Sequence, residues 1–319
     1  MQIIAADIGG TYSRLAWVKQ ESSDSGSPQK LIRIYANNGF DSFSNVVKQF
    51  IEDCSLEPPA LSQVVLALPA PVQSKIVRLT NIDWTINQND LEKLFPNAQV
   101  QLINDFQAAA VGAIRQPAEN LVNLNTKASN QTGPILVTGA GTGLGLAWFS
   151  DCNQDALPHP TEGGHADFAP TDLRQLDLLE TLMAKYGHVS YERLLSGDGL
   201  VGIYEFLGGG AKNADAAIVK NLADKNDRSA VNAIRLFVKV FGAYVGNLAL
   251  LFNPTGGIYI CGGMAARLKD WFDHENFYEP FQYKGRMRHM AERIPVYLVT
   301  EQDAGLDGSI HIAFKSHGK

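Results

Sequence analysis

The chain has 319 residues, of which 45% are hydrophobic and 19% are charged, the composition of an ordinary soluble globular protein. Its net charge is −6 and no block of like charge occurs, so we expect no nucleic-acid partner, because a phosphate backbone requires a basic face. The length predicts about two domains of roughly 100–200 residues each. Such a chain can bury a large core without help from a disulfide or a metal.

The beginning of the chain predicts neither a secretory signal nor a membrane anchor. Residues 1–7 lack a basic segment and reach an acid at Asp7. No apolar run approaches the roughly 18 residues that a spanning helix needs. The three cysteines, Cys54, Cys152 and Cys261, are odd in number and widely spaced, which does not fit a disulfide framework or a zinc motif. We expect them to be small apolar residues in a reducing cytoplasm.

The first predicted element is a β-hairpin. Residues 3–6 form an apolar strand, residues 7–11 a turn, and residues 14–18 the returning strand. A polar loop at 22–28 follows. A helix is predicted from about Asp41, because five apolar side chains share one face at helical spacing. These five are Phe43, Val46, Val47, Phe50 and Ile51.

Two buried strands are predicted next, at 64–68 and 100–103, and a helix follows the second, with Phe106, Ala109, Ala110 and Ile114 on one side. The pattern then restarts with a strand at 135–137, a glycine-rich turn at 138–145 and a returning strand at 146–149. With Thr142 aligned on Thr11, both the turn and the returning strand match the first hairpin, which indicates a weak internal repeat.

Helices dominate the later half of the chain. Leu173, Leu176, Leu179 and Met183 form one apolar stripe that ends at Gly187. A long apolar helix is predicted at 231–252, strands at 257–261 and 294–299, and a short last helix capped by Ser309. Strands mixed with helices predict α/β or α+β domains.

The two glycine turns are candidate phosphate sites. Glycine allows a ligand to approach the backbone closely, and successive N–H groups in such turns form anion-binding nests. Thr11 and Thr142 each add a hydroxyl donor. A strand follows each turn, so the pattern is not a Rossmann fingerprint, and no GxxxxGK[ST] motif occurs. Two ordinary hairpin turns remain the alternative.

Two acidic positions could take part in chemistry beside these turns. Asp7 ends the first strand, where it could bind Mg²⁺ together with phosphates or simply stabilise the turn. Asn104 and Asp105 end a strand and open a helix. Asp105 could accept the proton of a hydroxyl that is being phosphorylated, or it could be a helix cap.

The segment 162–165 places Glu162 and His165 on either side of two glycines, which suits a loop that meets the hydroxyls of a small ligand. A surface loop or half of a metal site is the alternative, although no other His or Cys pair has zinc spacing. Glu192 lies at a predicted helix start, where a capping or exposed role would be ordinary.

At these residues the sequence resembles the bacterial glucokinase family, which belongs to the hexokinase/actin/Hsp70 superfamily. This family is distinct from the zinc-containing ROK sugar kinases. The resemblance rests on motifs in family order along nearly the whole chain. These are D-I-G-G-T-Y-S-R at 7–14, Thr80-Asn81 with Trp84, I-N-D-F at 103–106, G-A-G-T-G-L-G at 139–145, E-G-G-H at 162–165, the stretch 188–197 and C-G-G at 261–263. Tyr12 stands where the family has Asn or a similar small polar residue.

The resemblance implies a two-domain α/β protein with the actin-like ATPase (ribonuclease H-like) fold and a ligand cleft between the domains. The small α/β domain would comprise residues 1–108 plus 304–319, and the larger α/β domain residues 109–303.

The resemblance also implies an activity, a glucokinase that transfers the γ-phosphate of Mg-ATP to the 6-hydroxyl of glucose, the first step of glycolysis. A cytoplasmic homodimer is expected. Asp105 would be the catalytic base. Asn104, Glu162, His165 and Glu192 would hold the sugar. The nucleotide would be bound by Asp7, Gly9, Gly10, Thr11, Gly141, Thr142, Gly143, Gly262 and Gly263, with Asp7 facing Mg²⁺ through water.

Three alternatives stay open. The acceptor could be another hexose, such as mannose, fructose or an N-acetylated amino sugar. The chain could be a sugar-sensing protein of the same fold without catalysis. It could also be an actin-like or Hsp70-like ATPase acting on proteins, which the acids at 162 and 192 with His165 disfavour.

Overall fold

The computed structural model describes residues 1–20, 28–79, 82–129, 131–151, 156–301 and 303–316. Thr80, Asn81, Cys152 and most of the loop expected at 22–28 lie outside these residues. The chain divides into two compact units, Met1–Arg115 with Asp303–Lys319, and Gln116–Gln302. The domain boundary expected after residue 108 would cut through the helix Asp105–Ala113, which belongs whole to the first unit.

The first unit contains a five-stranded sheet. Its strands are β1 (Gln2–Ile8), β2 (Tyr12–Lys19), β3 (Gln29–Ala36), β4 (Gln63–Leu68) and β7 (Gln99–Asn104), and β5 (Ile76–Arg78) with β6 (Thr85–Asn87) forms a separate ribbon. The order is β3-β2-β1-β4-β7, with β1, β4 and β7 parallel and the β1–β2–β3 pairs antiparallel. Every residue of β4 is buried, as expected for a central parallel strand covered on both faces.

The helices of the first unit include α1 (Phe43–Asp53), α2 (Gln88–Leu94), α3 (Asp105–Ala113) and, from the end of the chain, α11 (Ala304–Ser316). The stripe predicted for α1 is confirmed, because four of its five members are buried in the core. The cap predicted at Ser309 is wrong. Ser309 is buried within α11, where its hydroxyl donates to the carbonyls of Gly305, at 3.0 Å, and Ala6, at 3.3 Å.

Helix α11 packs very closely on α3. A Cβ at Gly112 would overlap the carbonyl of Ala304, and a Cβ at Gly308 would overlap the carbonyl of Ala108. The two helices therefore approach backbone to backbone, a spacing that only glycine permits. This contact fixes the last helix of the chain to the helix that begins at Asp105.

The second unit is built on a sheet that repeats the first arrangement. Its strands are β8 (Leu121–Asn123), β9 (Ile135–Ala140), β10 (Leu144–Phe149), β11 (His159–Thr161), β12 (Gly257–Cys261) and β13 (Val296–Val299). The strand order is β11-β10-β9-β12-β13-β8. Strands β11, β10 and β9 are antiparallel neighbours, and β9, β12 and β13 are parallel, as in the order β3-β2-β1-β4-β7 of the first sheet. Strand β8 is added at the edge, antiparallel to β13. The two predicted hairpins thus occupy the same place in both sheets.

Helices cover this sheet. They are α4 (Leu173–Tyr186), α5 (Gly197–Phe206), α6 (Ala216–Asp224), α7 (Arg228–Phe252), α8 (Gly263–Arg267), α9 (Glu279–Gln282) and α10 (Arg288–Ala291). Of the described helices, α7 alone is long and apolar enough to cross a membrane, and most of its apolar stretch is buried in the core of this unit. Arg235 and Lys239 interrupt it, so no uninterrupted apolar run reaches spanning length.

Most of the stripe predicted on α4 does not face the core, although Leu179 packs against it. Leu173 is 78% exposed, and Leu176 and Met183 are also exposed, whereas the buried face consists of Gln175, Leu178 and Leu182. Gly187 ends the helix as predicted, with a φ of 73°. The apolar spacing thus identified the helix but not the side that packs.

Candidate active site

The first glycine turn joins β1 to β2. The Gly9 N–H donates to the Tyr12 carbonyl at 2.9 Å, and the Asn37 side chain donates to the Gly9 carbonyl at 2.8 Å. In the described part of the chain, the amides of Gly10 and Thr11 have no acceptor. Two N–H groups in succession are therefore available to an anion. The Tyr12 side chain is 50% exposed next to them.

Asp7 lies at the carboxyl end of β1, directly before this turn. Its side chain is 18% exposed and pairs with Arg14 at 3.5 Å, and Arg14 also pairs with Asp303 at 3.6 Å. Burial is the main cause that raises the pKa of Asp7; Arg14 opposes this rise and Asp303 adds to it. The site therefore disfavours the charge on Asp7 unless a further cation is present.

The surroundings of Asp7 fit the magnesium ion that the family resemblance implies. Mg²⁺ keeps several waters and binds proteins through one or two carboxylates together with phosphates. Asp7 supplies one carboxylate beside two open amides, and its partner Arg14 is shared with Asp303. In the described residues, no three His, Cys, Asp or Glu side chains cluster to form a metal cage.

Asn104 and Asp105 stand where β7 becomes α3. Asn104 is the cap: its Oδ1 accepts from the N–H groups of Phe106, at 3.0 Å, and Gln107, at 3.2 Å, and the Gln107 side chain accepts from the Asn104 N–H. This is a reciprocal capping box. Asp105 is the first helical residue, and its Oδ1 accepts from the Phe106 N–H at 2.7 Å. The helix cap considered for Asp105 is therefore supplied by its neighbour.

The sheet brings Asp7 and Asn104 to the same edge. β1, β4 and β7 are parallel, Asp7 pairs with Ala67, and Leu68 pairs with Asn104. Since neighbouring strands are about 4.8 Å apart, the backbones of Asp7 and Asn104 are separated by roughly 10 Å. The carboxyl edge of a parallel sheet is where ligands bind in open α/β sheets.

The second glycine turn joins β9 to β10 and closes differently from the first. The Gly141 N–H donates to the Gly143 carbonyl at 2.8 Å, and the Gly197 N–H donates to the Gly141 carbonyl at 2.9 Å. The amides of Thr142 and Gly143 have no acceptor among the described residues. This turn thus also presents two consecutive N–H groups.

Glu192 reaches this turn from a short helical segment, Tyr191–Arg193. Its Oε2 accepts from the Leu144 N–H at 3.0 Å, and its Oε1 lies 3.8 Å from His165 Nδ1. His165 Nε2 lies 3.9 Å from Glu162 Oε2. The structure therefore brings all three predicted sugar-binding residues of the second unit into one row. Glu192 is 32% exposed and Glu162 is 74% exposed, so Glu192 is the more enclosed acid.

Gly262 and Gly263 lie next to the second turn. β9 and β12 are parallel neighbours, and a Cβ at Gly262 would lie 2.7 Å from the Ala140 carbonyl oxygen. Gly262 has a φ of 96°, which suits glycine. Nothing lies within 4 Å of a Cβ placed at Gly263, so a ligand could approach the backbone there.

Three contacts of this site were missed from the sequence. The sequence shows Arg14 only within the D-I-G-G-T-Y-S-R motif, and the signal that could indicate its ion pair is the hairpin register that places it opposite Asp7. Asp303 and Gly305 beside Asp7 come from the other end of the chain, and no local pattern announces them. The bond from Leu144 to Glu192 spans 48 residues and likewise requires the tertiary fold.

Comparisons with known proteins agree with one another. The family model described as glucokinase matches residues 4–316. A glucokinase of Chromohalobacter salexigens is 36% identical over 310 residues, which cover 96% of this chain and 95% of the relative.

Two solved structures are informative. The glucokinase from an Antarctic psychrotroph has a TM-score of 0.82 at 28% identity, covering 100% of this chain and 99% of that one. A ROK family glucokinase from Streptomyces griseus, in complex with glucose and AMPPNP, has a TM-score of 0.66 at 19% identity, covering 99% and 100%. At that identity the second likeness concerns the fold alone. The chain thus has the mixed α/β fold of sugar kinases with the actin-like ATPase architecture.

Proposed function

The chain belongs to the glucokinase family, and we propose that Asp105 is the base with which it phosphorylates the 6-hydroxyl of glucose. Its activity is that of an ATP-dependent hexose kinase acting on glucose. The observation that carries the proposal is the capping box of Asn104. Asn104 accepts the N–H groups of Phe106 and Gln107, so α3 keeps its cap independently of Asp105, whose Oδ1 also accepts from the Phe106 N–H at the carboxyl edge of the sheet.

In the proposed reaction, the sugar hydroxyl gives its proton to Asp105 while its oxygen attacks the γ-phosphorus of ATP in line. The bond from that phosphorus to the bridging oxygen breaks, and ADP leaves. Little covalent chemistry remains for the protein, so it contributes position and charge. A positioned general base typically contributes about 10²–10⁴-fold to the rate.

We assign the sugar hydroxyls to Asn104, Glu162, His165 and Glu192. Carboxylates and an amide suit a polyol, because each group can pair with two hydroxyls. A site built for such pairing rejects analogues that leave its polar groups unpaired. The row of Glu162, His165 and Glu192 in the second unit supports this assignment.

We assign the phosphates of ATP to the two glycine turns, with Gly9, Gly10 and Thr11 in one and Gly141, Thr142 and Gly143 in the other. The open amides of both turns support this assignment. Gly262 and Gly263 would lie against the adenosine. Asp7 would hold Mg²⁺ through water, and the ion would offset phosphate charge.

Three further expectations stay predictions. They are a ligand cleft between the two domains, a homodimer and a cytoplasmic location. The glucose and AMPPNP bound to the Streptomyces griseus protein support the assignment of both ligands to this chain.

A coupled assay with glucose and ATP, with and without Mg²⁺, tests the proposal. We expect glucose-dependent formation of ADP that requires Mg²⁺, and a higher kcat/KM for glucose than for mannose, fructose or N-acetylglucosamine. ATP hydrolysis that no sugar stimulates would contradict a kinase. Preference for another hexose would contradict the assigned acceptor and leave the chemistry in place.

A further inference from the structure

Glu192 is the one predicted sugar ligand that also touches the phosphate turn among the described contacts. One oxygen of its carboxylate accepts from the Leu144 N–H at 3.0 Å, and the other oxygen faces His165 at 3.8 Å. Leu144 directly follows Gly143, the last residue of the turn. A single side chain therefore spans the turn and the row of sugar-binding residues.

Gly143 itself lies against the same carboxylate. A Cβ at Gly143 would lie 2.6 Å from Glu192 Oε2 and 3.4 Å from its Cδ, too close for a side chain to fit without displacement. Gly164, in the loop between Glu162 and His165, packs against the backbone of Leu144, where its Cβ would overlap the Leu144 carbonyl. The sugar-binding loop and the phosphate turn thus share Leu144 as a common support.

We propose that Glu192 is a positioning residue for the phosphate turn, so that sugar binding and nucleotide binding reinforce each other through its carboxylate. The inference rests on the proposed function, in which Glu192 binds the sugar. It adds a second role, because Glu192 then acts on the nucleotide through the backbone of Gly143 and Leu144.

The physical basis of this coupling is conformational entropy, because ordering the Glu192 side chain helps to bind both ligands. A carboxylate that accepts a backbone N–H makes a charge-assisted hydrogen bond. At 32% exposure, Glu192 still has rotamer freedom to lose. Sugar hydroxyls bound to Oε1 would fix that side chain, and Oε2 would then hold Leu144 and the turn in place. A nucleotide that binds afterwards meets a turn that is already ordered, so its binding loses less conformational entropy. By thermodynamic linkage, the nucleotide must strengthen sugar binding by the same factor.

The first experiment compares two alanine substitutions in one turn, Gly143→Ala and Gly141→Ala. Both glycines belong to the proposed phosphate turn, but a Cβ at Gly141 meets nothing within 4 Å. We expect Gly143→Ala to weaken glucose binding, measured calorimetrically without nucleotide, by about tenfold or more, the size of one hydrogen bond to a charged group. Gly141→Ala should leave the glucose affinity close to that of the parent protein. Equal glucose affinities in both variants would overturn the inference.

The second experiment removes the carboxylates one at a time, with Glu192→Ala and Glu162→Ala. Without sugar, the affinity for a non-hydrolysable ATP analogue with Mg²⁺ should fall in Glu192→Ala and stay unchanged in Glu162→Ala, because of these two side chains it is Glu192 that bonds to Leu144 in the described contacts. In the parent protein glucose should tighten analogue binding, and this gain should vanish in Glu192→Ala. An unchanged analogue affinity in Glu192→Ala would overturn the inference, and this readout stands even if Gly143→Ala fails to fold.

The same variants separate this inference from the proposed function. If Glu192→Ala leaves glucose affinity unchanged, Glu192 is not a sugar ligand and the proposed site is wrong. If Glu192→Ala loses glucose affinity while Gly143→Ala does not, the sugar site stands and the link to the turn fails.

Discussion

The carboxylate of Asp7 lies directly against Gly305, which is 298 residues later in the chain. A Cβ at Gly305 would be 2.9 Å from Asp7 Oδ2 and 3.0 Å from its Cγ. The start of α11 therefore forms one wall of the position that Asp7 occupies, and Asp303 reaches the same cluster through Arg14. The last helix of the chain thus determines where the acid beside the first glycine turn can stand.

Replacing Gly305 with alanine should impair catalysis without unfolding the protein. The added Cβ must displace the Asp7 carboxylate, and a misplacement of about 1 Å at an active site can lower the rate by roughly 100-fold. Alanine has a higher helix propensity than glycine, so the substitution should not destabilise α11. The measurements are kcat at several Mg²⁺ concentrations and the thermal unfolding midpoint. Gly202→Ala is the control, since a Cβ there meets nothing within 4 Å and Gly202 is outside the site. Full activity of Gly305→Ala would show that Asp7 tolerates movement.

Replacing Asp105 with asparagine should lower kcat by about 10²–10⁴-fold, because the amide cannot accept the hydroxyl proton. Asparagine preserves the size of the side chain, and Asn104 continues to cap α3. Glucose binding, measured by calorimetry, should therefore be nearly unchanged. Near-normal phosphorylation by this variant would remove Asp105 from the mechanism.

Asn104 caps α3 and is proposed to bind glucose, and two substitutions can separate these two roles. Asn104→Ala removes the cap and should reduce the free energy of unfolding by about 1 kcal/mol. Asn104→Asp keeps an acceptor for the Phe106 and Gln107 N–H groups and should retain most of that stability. Both variants should bind glucose less tightly, because neither presents the amide. Denaturant unfolding and calorimetry measure the two effects. If Asn104→Asp loses as much stability as Asn104→Ala, the capping role is wrong.

Lys284 should make the free energy of unfolding depend on pH in the alkaline range. Its ammonium donates to the Ala243 carbonyl at 2.9 Å, and burial lowers its pKa to about 8 from 10.5. Between these two values the unfolded chain holds the proton and the folded chain does not, so the free energy of unfolding should rise with pH across that window. Lys284→Met should remove this rise, whereas Lys212→Met, at an exposed position, should keep it. Denaturant unfolding at a series of pH values decides the matter, and equal pH profiles in the two variants would refute the prediction.

Local patterns in the sequence predicted the elements of the fold well. The helix spacing from Phe43 to Phe50 and both glycine hairpins occur in the structure where the sequence indicated them. The same patterns did not reliably predict which face of a helix packs against the core. Most of the α4 stripe is exposed because the buried side of that helix is the one with Leu178 and Leu182. Ser309 bonds within α11 because that helix starts five residues earlier than expected.

For the candidate site, the sequence indicated residues that the structure brings together in the second unit, but not which hydrogen bonds each residue makes. Asn and Asp are both favoured helix caps, so Asn104 and Asp105 could not be distinguished before the hydrogen bonds were known. Glu192 had an ordinary capping role as its alternative. Its bond to Leu144 depends on how two distant segments fold against one sheet, which no local spacing encodes.

The packing of α11 on α3 and beside Asp7 has a consequence for how the protein is made. The first unit is interrupted by residues 116–302, so its sheet leaves the ribosome long before the helix that completes it. Until α11 is synthesised, Gly112 of α3 and the carboxylate of Asp7 have no partner from that helix. The nascent first unit should therefore stay protease-sensitive, and the first glycine turn, next to Asp7, should be among the last parts of the enzyme to reach its final structure.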